Sequence, residues 1–294
     1  MKRFGAGGYM LGGTVCLSTM SALVHFLGEN LHWTVVAFLR IFITFLIALA
    51  FARATGVRPM VFGSKILWAR SFFGSIALTS NFYALTHLAI TDAITILKTS
   101  PIWIGIILSV IHRRGPQGKI WIALLLGVAG VFLMEQPQFD GEWFPIIVTI
   151  CSAFFIACSQ VSMSFLHNVP TIKIVIHFSC CASLVTFCIM IFGHGFEPIQ
   201  QVDWTGARWL LLMAFFGTVG QVLMTTAFRT GHALLMSLIG LLAIPLAAMY
   251  DYFFWDRTLG WIEGGGIALI AVSIIMCSGQ SKEDLGDDQA MASG

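Results

Sequence analysis

Residues 89–110 read AITDAITILKTSPIWIGIILSV. The stretch is almost wholly apolar. At about 1.5 Å per helical residue it is long enough to cross a hydrocarbon layer of about 30 Å. Yet it holds Lys98, with Pro101 three residues on. A lysine at mid-membrane costs about 2.5–3.5 kcal/mol on insertion scales. A proline removes a backbone hydrogen bond and crowds the preceding turn. Both residues need a reason.

The remainder of the chain sets the context. It has 294 residues, 57% apolar and 10% charged, with mean hydropathy +0.87. A soluble domain carries about 25% charge, so the composition is that of an integral membrane protein. Apolar runs near 7–28, 34–53, 65–87, 91–111, 119–135, 143–166, 172–193, 206–228, 232–252 and 260–279 predict ten membrane helices with short links. The first run is longer than the apolar part of a signal peptide and no cleavage pattern follows it, so it reads as a retained helix. The polar end, SKEDLGDDQAMASG (281–294), reads as a disordered cytoplasmic tail.

Charge fixes the expected orientation. With the N-terminus in the cytoplasm, the inner side holds twelve basic residues: Lys2, Arg3, Arg53, Arg58, Lys65, Arg70, Arg113, Arg114, Lys119, Lys173, Arg229 and Lys282. The outer side holds two, Arg208 and Arg257. That bias places both termini in the cytoplasm of a multi-pass protein of the inner or plasma membrane. Arg40 and Lys98 lie inside helices. The net charge of +2 has no basic run that would suit nucleic acid.

A repeat is legible. FFGS (72–75) recurs as FFGT (215–218), an offset of 143, and Ala84 matches Ala227. Pro101 matches Pro245 at 144, and Gly130 matches Ser273 at 143. Each half then holds five helices. Because five is odd, the second copy enters the membrane inverted, the plan of many secondary transporters with substrate bound between the halves.

HLAITDAITILKTSPIWIGIILSV (87–110) and IALLLGVAGVFLM (122–134) resemble the EamA-type drug/metabolite transporter superfamily. So do AFRTGHALLMSLIGLLAIPLAAMYDYFF (227–254), GGGIALIAVSIIM (264–276) and the arginine of AFLRIFITFLIALAFA (37–52). The resemblance implies an all-α fold of ten transmembrane helices as a 5+5 inverted repeat, residues 1–139 and 140–280, around a cavity open alternately to each side. It implies transport of a metabolite without naming it. It also marks the fifth and tenth helices as candidate homodimer contacts. One departure is IHRRG (111–115), where the family often has an acid.

Three placements compete for Lys98. Its stem reaches toward the outer interface, or it pairs with an acid such as Asp92 or Glu263, or it lines a wet cavity and meets an anionic group of a substrate. The sequence favours the third. Thr99, Ser100 and Pro101 follow directly, and a broken, polar helix segment is tolerated only against protein or water. Arg40 lies at a similar depth in the second helix, roughly 10 Å from its outer end. Two such cations would attract a carboxylate or a phosphate. For Arg40 the alternative is a role in capping carbonyls or reaching the interface.

His25, Asn81, Tyr83, Trp103, Gln160, Gln221 and Ser237 are further candidates for the cavity wall, although each also suits helix packing. Pro101 and Pro245 are candidate hinges. HFLGENLH (25–32) spaces His25, Glu29 and His32 for one helix face, but Gly28 interrupts the helix, which argues against a metal site. The seven cysteines lie in apolar runs without CxxC spacing and read as small hydrophobes. Gly8 with Gly12, Gly127 with Gly130, and Gly264–Gly266 read as close-packing devices. No Walker loop and no nucleophile–base motif is present, so no cofactor and no enzyme activity is expected. No mid-helix carboxylate offers a proton relay, which leaves exchange, facilitated movement, or coupling through His25 or His177, open. The expected solute is an amino acid or related carboxylate, with a nucleotide-like or phosphorylated metabolite as the alternative; the alternative of a different class is a non-transporting membrane scaffold or a membrane-embedded enzyme.

Overall fold

Every apolar run folds as helix, and two of them are broken. The computed structural model describes residues 5–27, 33–58, 63–139, 142–195, 204–255 and 260–280. Among these there are twelve α-helices and no strand: α1 (Ala6–Leu27), α2 (Trp33–Ala54), α3 (Lys65–His87), α4 (Ile90–Leu97), α5 (Ser100–His112), α6 (Gly118–Glu135), α7 (Trp143–Ser164), α8 (Thr171–His194), α9 (Trp204–Thr230), α10 (Ala233–Gly240), α11 (Ala243–Trp255) and α12 (Trp261–Gln280). Two pairs, α4 with α5 and α10 with α11, are each one run interrupted by a turn. Eight of the ten runs are both long and apolar enough to cross a bilayer. The exterior is apolar too, with Phe192, Phe253 and Val110 widely exposed. That surface suits lipid, not water.

Helix ends follow local chemistry. Ser64 caps α3 by accepting the Leu67 N–H at 3.3 Å. Gln136 ends α6 in the left-handed region, φ 45°, with its N–H on the Phe132 carbonyl. Tryptophans begin α2, α7, α9 and α12 (Trp33, Trp143, Trp204 and Trp261). Consecutive runs alternate in direction, so all four lie at one end of the bundle, the placement of an interfacial belt.

The packing pairs are specific. α1 lies along α9, α3 along α7, α2 against α8 and α6 against α12. The α6–α12 seam is the tightest. A Cβ at Gly130 would stand 2.7 Å from the Gly266 carbonyl oxygen, and one at Gly266 would stand 2.6 Å from that of Gly130. Gly127 faces Leu238, Leu241 and Ser273. These glycines are therefore used within the chain, and any homodimer contact of the two helices would fall on their remaining faces. In α1 the close approach is made by Gly13, whose Cβ would be 3.0 Å from the Met224 nitrogen; Gly12 has only an ordinary contact with Leu223.

One large cluster joins both halves of the sequence and runs from Met10, Met163 and Phe228, near the end where α1 begins, to Val131, Met134 and Ala248 toward the opposite end. Smaller apolar groups lie at both ends. Leu67, Leu166 and Ile174 make one at the end where α1 begins. Others lie at the opposite end. Met20, Val36, Leu210 and Met213 make one, and Ala84, Leu88, Ala93 and Ile96 make another.

Candidate functional site

The interruption between α4 and α5 falls at Lys98 and Thr99. Lys98 closes α4 with its N–H on the Ile94 carbonyl, and the Thr99 N–H turns back to Ile96 at 3.1 Å. Pro101 is the second residue of α5 and has no N–H to continue the ladder. The same turn recurs 143 residues later: the Leu242 N–H reaches the Ile239 carbonyl at 3.1 Å, with Pro245 the third residue of α11. Both breaks thus precede their prolines by a few residues.

Lys98 is half-buried, and its ammonium makes no hydrogen bond or ion pair among the described residues. The carboxylate that acts on it electrostatically is Glu135, at the end of α6. The two acids proposed as its partners are engaged elsewhere. Asp92 is buried and accepts the N–H groups of Gln138 (3.0 Å) and Phe139 (3.1 Å). Glu263 accepts the Gly260 N–H. Asp92 is therefore a strap for the segment after α6, and sequence spacing gave no sign of it. A cleft of about 470 Å³ opens beside that strap, lined by His87, Thr91, Asp92, Glu135 and Gln138 among others.

Arg40 lies seven residues into α2, a depth close to that of Lys98 within α4. Its Nε is buried without a partner. It lies beside Gly217 of α9, where a Cβ would be 3.4 Å from Nε and 3.0 Å from Met20 Sδ. One residue on, Thr218 donates to Thr44 Oγ1 of α2 at 3.1 Å. Thr44 in turn donates to the Arg40 carbonyl.

The remaining candidates are dispersed. Asn81 Oδ1 and Gln160 Oε1 are buried without partners. Gln221 is buried, with its amide 3.4 Å from Thr225 Oγ1. Ser237 donates to the Leu234 carbonyl. Ser100 is buried at the start of α5. Tyr83 stacks on His87 at 4.0 Å. Trp103 packs on the large apolar cluster, edge-on to Phe154. The His25 side chain and residues 281–294 lie outside the described residues. A small cavity of about 10 Å³, room for one water, lies between α2, α3 and α8 beside Thr34, Thr79 and Thr186.

One charged residue that the sequence reading placed on the cytoplasmic flank is instead interior. Arg70 of α3 is 3% exposed. Its guanidinium lies over the Phe178 ring at 4.1 Å. Beside it Ser71 and His177 Nδ1 are hydrogen-bonded at 2.7 Å, and His177 Nε2 is buried without a partner. The charge bias between the two sides is unaffected in sign.

The model of the EamA-like transporter family matches residues 6–135 and again residues 143–279. The pseudopaline exporter CntI of Pseudomonas aeruginosa is 26% identical over 269 residues, 90% of this chain and 93% of its own length. Solute carrier family 35 member G1 of Mus musculus is 23% identical over 224 residues, 70% of this chain and 60% of its own. A solved crystal structure, 17% identical, superposes with TM-score 0.77 and covers 95% of this chain and 98% of its own. That likeness bears on the fold alone.

Proposed function

The chain belongs to the EamA-like transporter family, and we propose that it is a secondary transporter that moves a small carboxylate-bearing metabolite, an amino acid or related acid, by alternating access. The bundle is read as ten crossings of the inner or plasma membrane with both termini in the cytoplasm. Residues 1–139 and 140–280 are its two inverted copies. Three features support the copies: the family match occurs twice, the helix-breaking turn recurs at offset 143, and the packing of α1 on α9 has its counterpart in α7 on α3.

The apolar cluster joining the halves runs along much of the bundle, with smaller groups at either end. The two broken runs, with Pro101 and Pro245, are the weak points at which the halves rock. Lys98 and Arg40 attract the solute's anionic group, and Ser100, Asn81, Gln160, Gln221, Ser237, Tyr83, Trp103 and His25 supply the wall. The relative named as an exporter favours outward movement.

The observation that carries this reading is the Lys98 ammonium at a helix interruption, without a hydrogen-bonded partner among the described residues. A charge at that depth is costly, Glu135 acts on it without a hydrogen bond, and an incoming carboxylate offsets more of that cost. The test is flux in proteoliposomes, after a thermal-shift screen of purified protein against acidic, neutral and basic metabolites. Lys98→Ala is expected to lower flux of the stabilising acid at least tenfold, with partial activity in Lys98→Arg. Stabilisation by cationic solutes alone, or undiminished flux in Lys98→Ala, refutes the reading.

A further inference from the structure

We infer that Arg70 forms a second, inner anion site, between α3, α7 and α8, that receives the carboxylate of the transported solute on the cytoplasmic half of the bundle. The inference rests on the transport reading above. Arg70 lies five residues beyond Lys65, roughly 8 Å from the start of α3. An arginine so placed ordinarily bends back to the nearest water, and helical side chains already lean toward the N-terminus. Arg70 does the reverse. A Cβ at Gly74 would stand 2.2 Å from Nη1, so the guanidinium reaches one turn deeper, into space that only a glycine leaves free. Behind it, toward the near end of α3, the buried side chains of Leu67, Leu166 and Ile174 pack together.

The guanidinium has no hydrogen bond or ion pair among the described residues, and its Nε is buried without a partner. The Phe178 ring at 4.1 Å gives a cation–π contact, which is weak against the cost of an uncompensated buried charge. The fork of donors is matched by a carboxylate, which it binds in bidentate fashion. Other polar groups share the space. Ser159 Oγ lies 3.1 Å from the point where the Gly74 Cβ would be. Ser71, next to Arg70, holds His177 Nδ1. When Ser71 donates in that bond, the unpartnered His177 Nε2 carries the proton and is a further donor. α7 packs on α3 and also on α4 and α5, so one helix borders both this seat and the Lys98 break. The two cations then act in series along an outward route.

The test uses the full chain in lipid nanodiscs, with thermal unfolding followed in acetate, malonate and glutamate. Chloride and ethylamine serve as inorganic and cationic controls. The measurement is made in wild type and in the double variant Lys98→Ala with Arg40→Gln, where any remaining carboxylate response belongs to the inner site. A rise in melting temperature is expected in both. The double-variant rise is expected to vanish on adding Arg70→Gln. With Arg70→Lys, which keeps the charge and loses the fork, its half-saturating concentration is expected to increase at least tenfold. If Arg70→Gln does not fold, Gly74→Ala fills the seat and leaves the charge, and the same loss is expected. A rise that survives these changes overturns the inner site, as does an equal rise with chloride. Loss of the whole response in the double variant, with Arg70 intact, overturns it too, while leaving the outer site standing. Absence of any carboxylate response in wild type also overturns it, and the transport reading is then judged separately by flux.

Discussion

The seam between α6 and α12 gives a prediction whose size follows from the backbone. In Gly130→Ala the new methyl would stand 2.7 Å from the Gly266 carbonyl oxygen, 2.9 Å from Ile270 Cγ1 and 3.1 Å from the Ile270 nitrogen. An ordinary contact begins near 3.4 Å, so the helices must part by roughly 0.7 Å. Two of the three atoms are not free to rotate away: one is a backbone oxygen and one a backbone nitrogen. A gap of that size forfeits about a quarter to a half of each contact's attraction along the seam. Overpacking of this kind costs about 1–3 kcal/mol, against at most about 1 kcal/mol gained from replacing glycine in a helix. The net expectation is a loss of about 1–2 kcal/mol. Gly264 and Gly265, on α12 itself, have nothing within 4 Å of an added Cβ, so alanine there should be neutral or mildly stabilising. Chemical denaturation of the three variants in matched detergent micelles measures the difference. Gly130→Ala and Gly266→Ala together should cost less than their sum, because both report one separation. If Gly130→Ala proves as stable as Gly264→Ala, the backbone-to-backbone seam is refuted.

Other outcomes follow from single contacts. Asp92→Ala orphans the N–H groups of Gln138 and Phe139; it should cost about 1–3 kcal/mol and speed limited proteolysis after α6, whereas unchanged cleavage would remove its role as a strap. Thr44→Val and Thr218→Val, combined in a double-mutant cycle, should couple by about 0.6 kcal/mol, the average for an interhelical hydrogen bond in a membrane protein; a coupling of zero would mean that the bond contributes nothing to the α2–α9 contact.

Helix positions were legible because hydrocarbon thickness sets them. The predicted 65–87 run is the helix Lys65–His87, and 119–135 is Gly118–Glu135. The two breaks were legible only as prolines. Their true sites are Lys98–Thr99 and Leu241–Leu242, because a missing N–H disturbs the turn before the proline. Facing direction was not legible. In a water-soluble helix the apolar stripe points to the core, but here lipid is as apolar as the core and the stripe is erased. Arg70 therefore read as one more cytoplasmic flank charge, whereas its burial depends on Gly74, Phe178 and Ser159, which come from three helices. Asp92 read as a partner for Lys98 because the two are near in sequence, but the α6 extension claims both of its oxygens.

The repeated FFG motif joins these observations. Its two glycines, Gly74 and Gly217, lie on helices that the proposed duplication equates, and each lies beside an arginine whose Nε is buried without a partner, although only at Gly74 would an added Cβ displace the guanidinium. Yet the arginines are not copies. Arg70 comes from the same helix as its glycine, one turn earlier, while Arg40 comes across from α2. At the offset of 143, Arg70 corresponds to Met213 and Arg40 to Ser183. The cations beside the two equivalent glycines thus come from different directions. That asymmetry gives one cation seat nearer each side of the bundle, which an inverted pair of identical copies would also do, but with unequal surroundings. Arg70 lies beside His177 and a closed apolar floor; Arg40 lies beside Met20 and the Thr44–Thr218 bond. Two anion seats of unequal affinity at the two sides would favour net movement of a solute toward release at the weaker one only if a gradient or exchange drives the cycle, since binding strengths alone shift occupancy and not direction.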